Sequence, residues 1–272
     1  WEVNGNKITF HIKKDMYWSD GRTPITADDF YFTFKRVLDP SSAAPYSYLA
    51  DFIKNAKSFR EGKIKDFTQV GVKLLDKYRL LIEIIYSKED PVSDFGKQAF
   101  GFVTFTPINE SFYKKNKKDF GKNINSILCN GPWMVKSWNF GDRLQLLKNP
   151  YYYDKGKIKI DEINILTIKE ENTVDMMYKN GSIDLIPKIQ GTYLDYYMKK
   201  GEAHRYSSSP VVWYLQFNTR EKDLAIPEIR AAISYAINRE QLCKNILIDD
   251  SEAALAMVPN SINGKKSTFR KD

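Results

Sequence analysis

Trp18-Ser19-Asp20-Gly21-Arg22-Thr23-Pro24-Ile25-Thr26-Ala27-Asp28-Asp29-Phe30 is the stretch that decides how this chain folds. Asp20-Gly21 is a tight-turn dipeptide: Asp tolerates the left-handed region, and Gly enters it without steric cost. Pro24 holds the link extended. Thr26 then stands as an N-cap, with Asp28 and Asp29 in the first turn, where the helix dipole favours negative charge. Asp29 three residues after Thr26 is a variant of the capping box, whose usual partner is Glu or Gln. Phe30, Phe34, Val37 and Leu38 follow at helical spacing, so the sequence predicts a helix over 27–38 that buries one face and stops before Asp39-Pro40.

On either side of this junction the chain alternates strand-like and helix-like segments. Ile8, Phe10 and Ile12 alternate with polar residues and predict a half-buried strand over 7–13. Segments 70–76 and 79–86 read as a strand pair. A helical segment is expected over 48–59, a short helix over 92–98, strand-like structure over 101–107, and a basic surface helix over 110–121. Further on, 133–135, 144–147 and 160–168 read as sheet strands. Residues 170–180 form a helix closed by Gly181, with Val174, Met177 and Tyr178 on its buried face. A short strand over 183–187, a helical turn over 194–200 and an apolar strand over 211–218 follow. A long amphipathic helix over 227–247 carries Ile229, Ile233, Ala236, Ile237 and Leu242 on one side. The intermixing predicts an α/β architecture with a mixed sheet in 128–217.

The 272 residues can form one large domain or two ordinary ones. Lys and Arg exceed Asp and Glu by 42 to 34, a net charge of +8 that raises the question of a nucleic-acid ligand. The densest basic run, Lys114-Lys115-Asn116-Lys117-Lys118, has no interleaved aromatics of the kind that stack on single strands, and reads as a solvated helix face or as contact with an anionic envelope surface. The two cysteines, Cys129 and Cys243, are far apart and form no CxxC pair, so a zinc or redox motif is not expected. The two histidines, His11 and His204, lie in polar settings and read as solvated. No nucleotide loop, nucleophile elbow or metalloprotease helix is present. No catalytic residue, metal site or cofactor is expected.

The string W-S-D-G-x-x-P-I-T-A-x-D-F resembles the signature of the oligopeptide, dipeptide and nickel class of bacterial solute-binding proteins (family 5). These are the extracytoplasmic receptors of ABC importers. Similarity continues in order through Gly71-Val72-Lys73, Asn130-Gly131-Pro132-Trp133, Lys148-Asn149-Pro150-Tyr151-Tyr152-Tyr153, Asn180-Gly181-Ser182-Ile183-Asp184, Phe217-Asn218-Thr219 and Ile229-Arg230-Ala231 to Arg239. The resemblance implies a periplasmic-binding-protein-like fold of type II, two-lobed with an extra accessory domain. Residues 1–127 would be the accessory block, 128–217 the first-lobe domain, and 218–272 the start of a truncated second lobe. The family's members are longer, so the chain reads as an internal fragment.

The same resemblance implies capture of an oligopeptide between lobes and its delivery to the transmembrane subunits of an importer. Nickel chelate, haem, sugar or peptide pheromone are the alternative ligands. A hydrolase or a nucleic-acid-binding protein would need a catalytic cluster or a continuous basic patch. The protein is expected outside the cytoplasm, in the periplasm or on the cell surface, held by an N-terminal lipid anchor that lies outside this sequence. By position in the matched motifs, Tyr46 falls where the family places a cleft tyrosine, Lys188, Ile189 and Gln190 fall on a cleft loop, and Ser209, Val211 and Tyr214 on the strand flanking the cleft. Tyr46 also fits plain loop packing, Tyr214 a core position and Lys188 a solvated surface. The acidic residue that captures a peptide's amino terminus in the family falls beyond the residues given.

Overall fold

The structure is a computed structural model that describes residues 1–85, 100–189, 191–203, 211–247, 251–259 and 262. It divides into two compact units, Trp1–Thr167 and Ile168–Asp272.

The first unit begins with β1 (Glu2–Asn4) and β2 (Lys7–His11), an antiparallel hairpin. Helix α1 spans Ala27–Leu38, with the bounds that its cap and periodicity predict. The backbone N–H of Thr26 donates to Asp29 Oδ2 at 2.8 Å, so the shorter acid serves in the capping box. The short α2 (Ala56–Arg60) precedes β3 (Val72–Asp76) and β4 (Arg79–Glu83). The sheet order is β1-β2-β4-β3, antiparallel throughout. Ile8, Ile82 and Val72 lie side by side across its three longer strands and are all buried. Together with Phe34, Val37 and Leu38 of α1 they form part of one hydrophobic core.

Gly71 shows why that sheet entry takes no side chain. Its N–H donates to Lys54 O at 2.8 Å and its carbonyl accepts from Glu83 N at 2.7 Å. A Cβ there would stand 2.5 Å from the Glu83 carbonyl oxygen, a backbone atom that cannot swing aside.

Asp29 is buried at the start of α1, and burial raises its carboxyl above the ordinary value. Hydrogen bonds from Thr26 N–H and Asn109 Nδ2 act in the opposite direction. The folded state therefore binds this proton more tightly than the unfolded chain. Stability from this group rises as pH falls through the folded value toward the ordinary 3.8, and is lower above that window. Relative to Asp29→Asn, the unsubstituted protein should gain urea resistance between pH 7 and pH 4. A gap that stays constant, or moves the other way, would show that the hydrogen bonds outweigh burial.

Helix α3 spans Glu110–Asn116 and is capped by Asn109, whose Oδ1 accepts from Phe112 N at 3.0 Å. Strand β5 (Trp133–Asn139), β6 (Arg143–Lys148) and β7 (Glu162–Leu166) form an antiparallel meander. The mixed sheet expected over 128–217 thus takes an antiparallel form in the described residues. Several local expectations also change. Residues 48–59 form a single-turn 3₁₀ segment, Ser47–Ala50, and the short α2 rather than one helix. Segment 101–107 is not a strand but a turn, Val103–Phe105, because only Phe105 is buried, stacked on Phe34 at 5.1 Å, while Phe102 and Val103 face solvent. The helix expected at 92–98 lies outside the described residues.

The second unit contains α4 (Glu171–Lys179), α5 (Gly191–Lys200), α6 (Pro227–Ala236) and α7 (Arg239–Leu242), the last followed by a π turn at Cys243–Leu247. Val174, Met177 and Tyr178 of α4 are half-buried; the buried residue is Asp175, which sequence reasoning passed over. Its Oδ1 accepts from the Tyr197 hydroxyl at 2.6 Å and its Oδ2 from Lys179 Nζ at 2.7 Å. These bonds hold the carboxyl below its ordinary value and tie α4 to α5.

The expected helix over 227–247 breaks at Ile237, which is extended at φ −89°, ψ 113°. Asn238 restarts the helix by accepting from Gln241 N at 3.0 Å, and Arg239 Nη1 donates to the Ser234 carbonyl at 2.8 Å. Ile229, Ile233 and Ile237 are half-buried and Ala236 is exposed, so the described residues do not cover this apolar stripe. No strand forms over 183–187 or 211–218 among the described residues.

Candidate functional site

In the first unit, three of the strings quoted above meet. The Trp18 N–H donates to Thr23 O, and the Gly21 N–H to Trp18 O, both at 2.9 Å. Asp20 Oδ1 accepts from Thr23 N at 3.0 Å and Oδ2 from Thr23 Oγ1 at 2.5 Å, closing the turn. These bonds hold the Asp20 carboxyl below its ordinary value despite an opposing contribution from burial. Ser19 N–H donates to Cys129 O at 2.8 Å, and Cys129 N–H returns to Ser19 Oγ at 3.0 Å. One residue pair thereby joins the turn to the Asn130-Gly131-Pro132 segment.

Asn149 completes the cluster. It is fully buried, its Nδ2 donates to Gly131 O at 2.9 Å, and its Oδ1 accepts from Tyr151 N at 3.0 Å. Tyr151 in turn lies over Gly21, where a Cβ would come within 2.3 Å of the tyrosine Cζ. Gly21 also has φ +70°, so the turn favours a residue without a side chain, and any side chain there would push the Tyr151 ring aside. Tyr153, two residues on, has Lys13 Nζ 4.7 Å from its ring centroid. The motifs thus act first as a scaffold: a turn, a Gly-Pro segment and an Asn hub that fix one another.

Tyr46, the candidate of the first unit, immediately precedes the Ser47–Ala50 turn and is 55% exposed. Its ring lies 6.4 Å from that of Tyr48, which is also exposed. It is therefore not a packed core residue.

The remaining candidates belong to the second unit. Lys188 is exposed and Ile189 half-buried, in a segment without regular structure between α4 and α5. That segment leaves α4 through Asn180-Gly181-Ser182, where the Gly181 N–H donates to Tyr178 O at 3.1 Å and the Ser182 N–H to Met177 O at 2.8 Å. Gln190 and Ser209 lie outside the described residues. Val211 and Tyr214 stand in one exposed run with Trp213 and Leu215, Tyr214 at 60% and Trp213 at 87%. Among the described residues nothing covers the Tyr214 ring. Trp213 joins the candidates on exposure alone; its apolar neighbours hid it within what read as an apolar strand. Residues 216–220 line a shallow open depression in which Asn218 Oδ1 accepts from Arg220 N at 3.2 Å.

Among the described residues, no group of His, Cys, Asp and Glu is arranged to hold a metal ion. Cys129 and Cys243 are free thiols. No helix among the described residues is long and apolar enough to cross a membrane.

Comparison with known proteins agrees with the motif reading. The family described as "Bacterial extracellular solute-binding proteins, family 5 Middle" matches residues 1–272. The oligopeptide-binding protein OppA of Bacillus subtilis (strain 168) is 31% identical over 96% of this chain and 47% of its own length. The periplasmic oligopeptide-binding protein OppA of Salmonella typhimurium is 29% identical over 98% of this chain and 48% of its own. The substrate-binding domain of an oligopeptide ABC transporter from Bacillus anthracis superposes with a TM-score of 0.88 at 30% identity, covering 99% of this chain and 52% of that one. The chain spans about half the length of the curated relatives it matches. The fold is the α/β, type II binding-protein fold of these neighbours. The chain belongs to the bacterial extracellular solute-binding proteins of family 5, a family of binding proteins rather than of enzymes.

Proposed function

We propose that the protein to which this chain belongs is an extracytoplasmic receptor that captures oligopeptides and hands them to the transmembrane subunits of an ABC importer. Its division would be an accessory block (1–127), a first-lobe domain (128–217) and the start of a second lobe (218–272), with the peptide held between lobes. An N-terminal lipid anchor would keep it at the cell surface, and it would not turn its ligand over. The observation that carries this reading is the run 211–217. Its side chains are largely exposed, with Val211, Trp213, Tyr214 and Leu215 all open to solvent among the described residues. An exposed run that carries Trp213 and Tyr214, in a chain of this family, suits recognition of what all peptides share: backbone donors and acceptors, with roomy, hydrated space for side chains. Lys188, Ile189, Gln190 and Ser209 are assigned to the same role by their place in the matched motifs.

Calorimetry of the whole protein with a mixed pool of tri- to hexapeptides tests this. Heat with little side-chain selectivity is the expected result, with every peptide recovered intact. Tyr46→Ala should weaken binding by about 1–3 kcal/mol, the scale of one aromatic contact, without altering the thermal midpoint. No heat with any peptide, alongside tight uptake of a nickel chelate, haem or sugar, would move the assignment to that ligand. Recovery of cleaved peptide would refute a pure receptor.

A further inference from the structure

Helix α3 separates its residues by face. Phe112, Tyr113 and Asn116 turn inward: Tyr113 lies 5.4 Å from the ring of Phe32 and 5.1 Å from that of Phe120, beneath the guanidinium of Arg36 at 5.0 Å. Asn116 Nδ2 donates back to Phe112 O at 2.9 Å. Lys114 and Lys115 of the helix, and Lys117 and Lys118 of the turn that follows it, are exposed. Only Lys114 of these has an ion-pair partner among the described residues, Glu110 at 3.0 Å.

The same corner collects further positive charge. Lys122 Nζ donates to the Lys118 carbonyl at 2.5 Å, which folds a fifth ammonium onto the helix end. The carboxyl of Asp39, held below its ordinary value chiefly by Ser41, also feels both Lys117 and Lys35, so the ends of α3 and α1 lie together. Glu110, Asp39 and Asp119 do not balance this group. The outward face carries no aromatic ring on which a base could stack. Several flexible, exposed ammonium groups on one helix and the turn after it match diffuse negative charge, not a single enclosed anion. For a member of an extracellular family, the matching extended surface is the outer leaflet of a membrane rich in anionic lipid.

We propose that the exposed face of α3, with the end of α1, is a docking surface for an anionic phospholipid bilayer. This would orient the protein on the membrane independently of any covalent anchor and of the ligand it carries. The pull of each lysine is roughly fivefold in partitioning and is screened by salt.

The test is vesicle co-sedimentation of the purified protein made without lipid modification. Binding is expected to phosphatidylcholine vesicles that contain phosphatidylglycerol, not to phosphatidylcholine alone, and should vanish at high salt. The triple variant Lys115→Gln, Lys117→Gln, Lys118→Gln should lose about 100-fold in partitioning. The charge-keeping variant Lys115→Arg, Lys117→Arg, Lys118→Arg should retain it. Lys73→Gln, Arg143→Gln, Lys159→Gln removes equal charge from other exposed positions and should bind as before. Equal loss in both Gln variants would reduce the effect to net charge and overturn the proposal. So would equal binding to neutral vesicles, or binding to soluble polyphosphate without binding to any vesicle.

Discussion

Ile82→Ala is expected to destabilise the first unit by about 3–5 kcal/mol. Ile82 is 1% exposed and sits in β4, the strand between β2 and β3. Its register partners are Ile8 on one side and Val72 on the other, each also about 1% exposed. The three side chains form one row of the core that also takes in Phe34, Val37 and Leu38 of α1. Truncation removes three carbons from the middle of that row, where neighbours on both sides are fixed by strand pairing and cannot close the void. Leu74→Ala is the matched control. Leu74 lies in the neighbouring β3 but is 39% exposed, so its loss should cost about 1 kcal/mol or less. Urea denaturation followed by far-ultraviolet circular dichroism separates the two. Similar costs for both would mean that the row is not the packed centre of the unit.

What the sequence could show follows from how local each signal is. Both ends of α1 were legible because Thr26, Asp29 and the Asp39-Pro40 stop are contiguous with the helix they bound. Strand β2 and the β3–β4 pair were legible from alternation and a tight connection. The run 211–218 was not. An apolar run says that side chains avoid water, but a strand also needs a partner edge, and none pairs with it among the described residues. The break at Ile237 was hidden because the apolar spacing continues through it, while the decisive groups are polar: Asn238 as a new cap and Arg239 on the Ser234 carbonyl. Asp175 was overlooked for the related reason that its partner, Tyr197, is remote in sequence. For the candidate site, residue types alone singled out nothing. Tyr46, Lys188 and the 209–214 positions came from family resemblance, and the exposure of Tyr46, Val211 and Tyr214 is consistent with contact to a ligand.

The Asn149 hub is where motif and stability coincide, and Asn149→Ala should cost about 2–5 kcal/mol. The side chain is fully buried and makes one bond as donor, to Gly131 O at 2.9 Å, and one as acceptor, from Tyr151 N at 3.0 Å. Its own backbone N–H to Pro132 O at 2.8 Å survives truncation, so the loss is confined to those two bonds. Each leaves a part-buried polar partner without its bond, at about 1–2.5 kcal/mol apiece, because an unpaired group costs more than a made bond contributes. Asn149→Asp should not rescue the protein: it keeps an acceptor for Tyr151 N but turns a second oxygen toward the Gly131 carbonyl and adds buried charge. The consequence should spread to Gly21, since Tyr151 is the residue that lies over it. Amide exchange gives the discriminating readout. In Asn149→Ala the Tyr151 amide should lose its protection and the Gly21 amide should weaken with it, while the Ile82 amide in the central strand follows only global stability. If Tyr151 keeps its protection in the variant, a neighbouring group has replaced the asparagine and the hub is redundant. If all three fall together, the cluster is part of the same cooperative unit as the core, and the turn, the Gly-Pro segment and the asparagine hold the whole of the first unit rather than one corner of it.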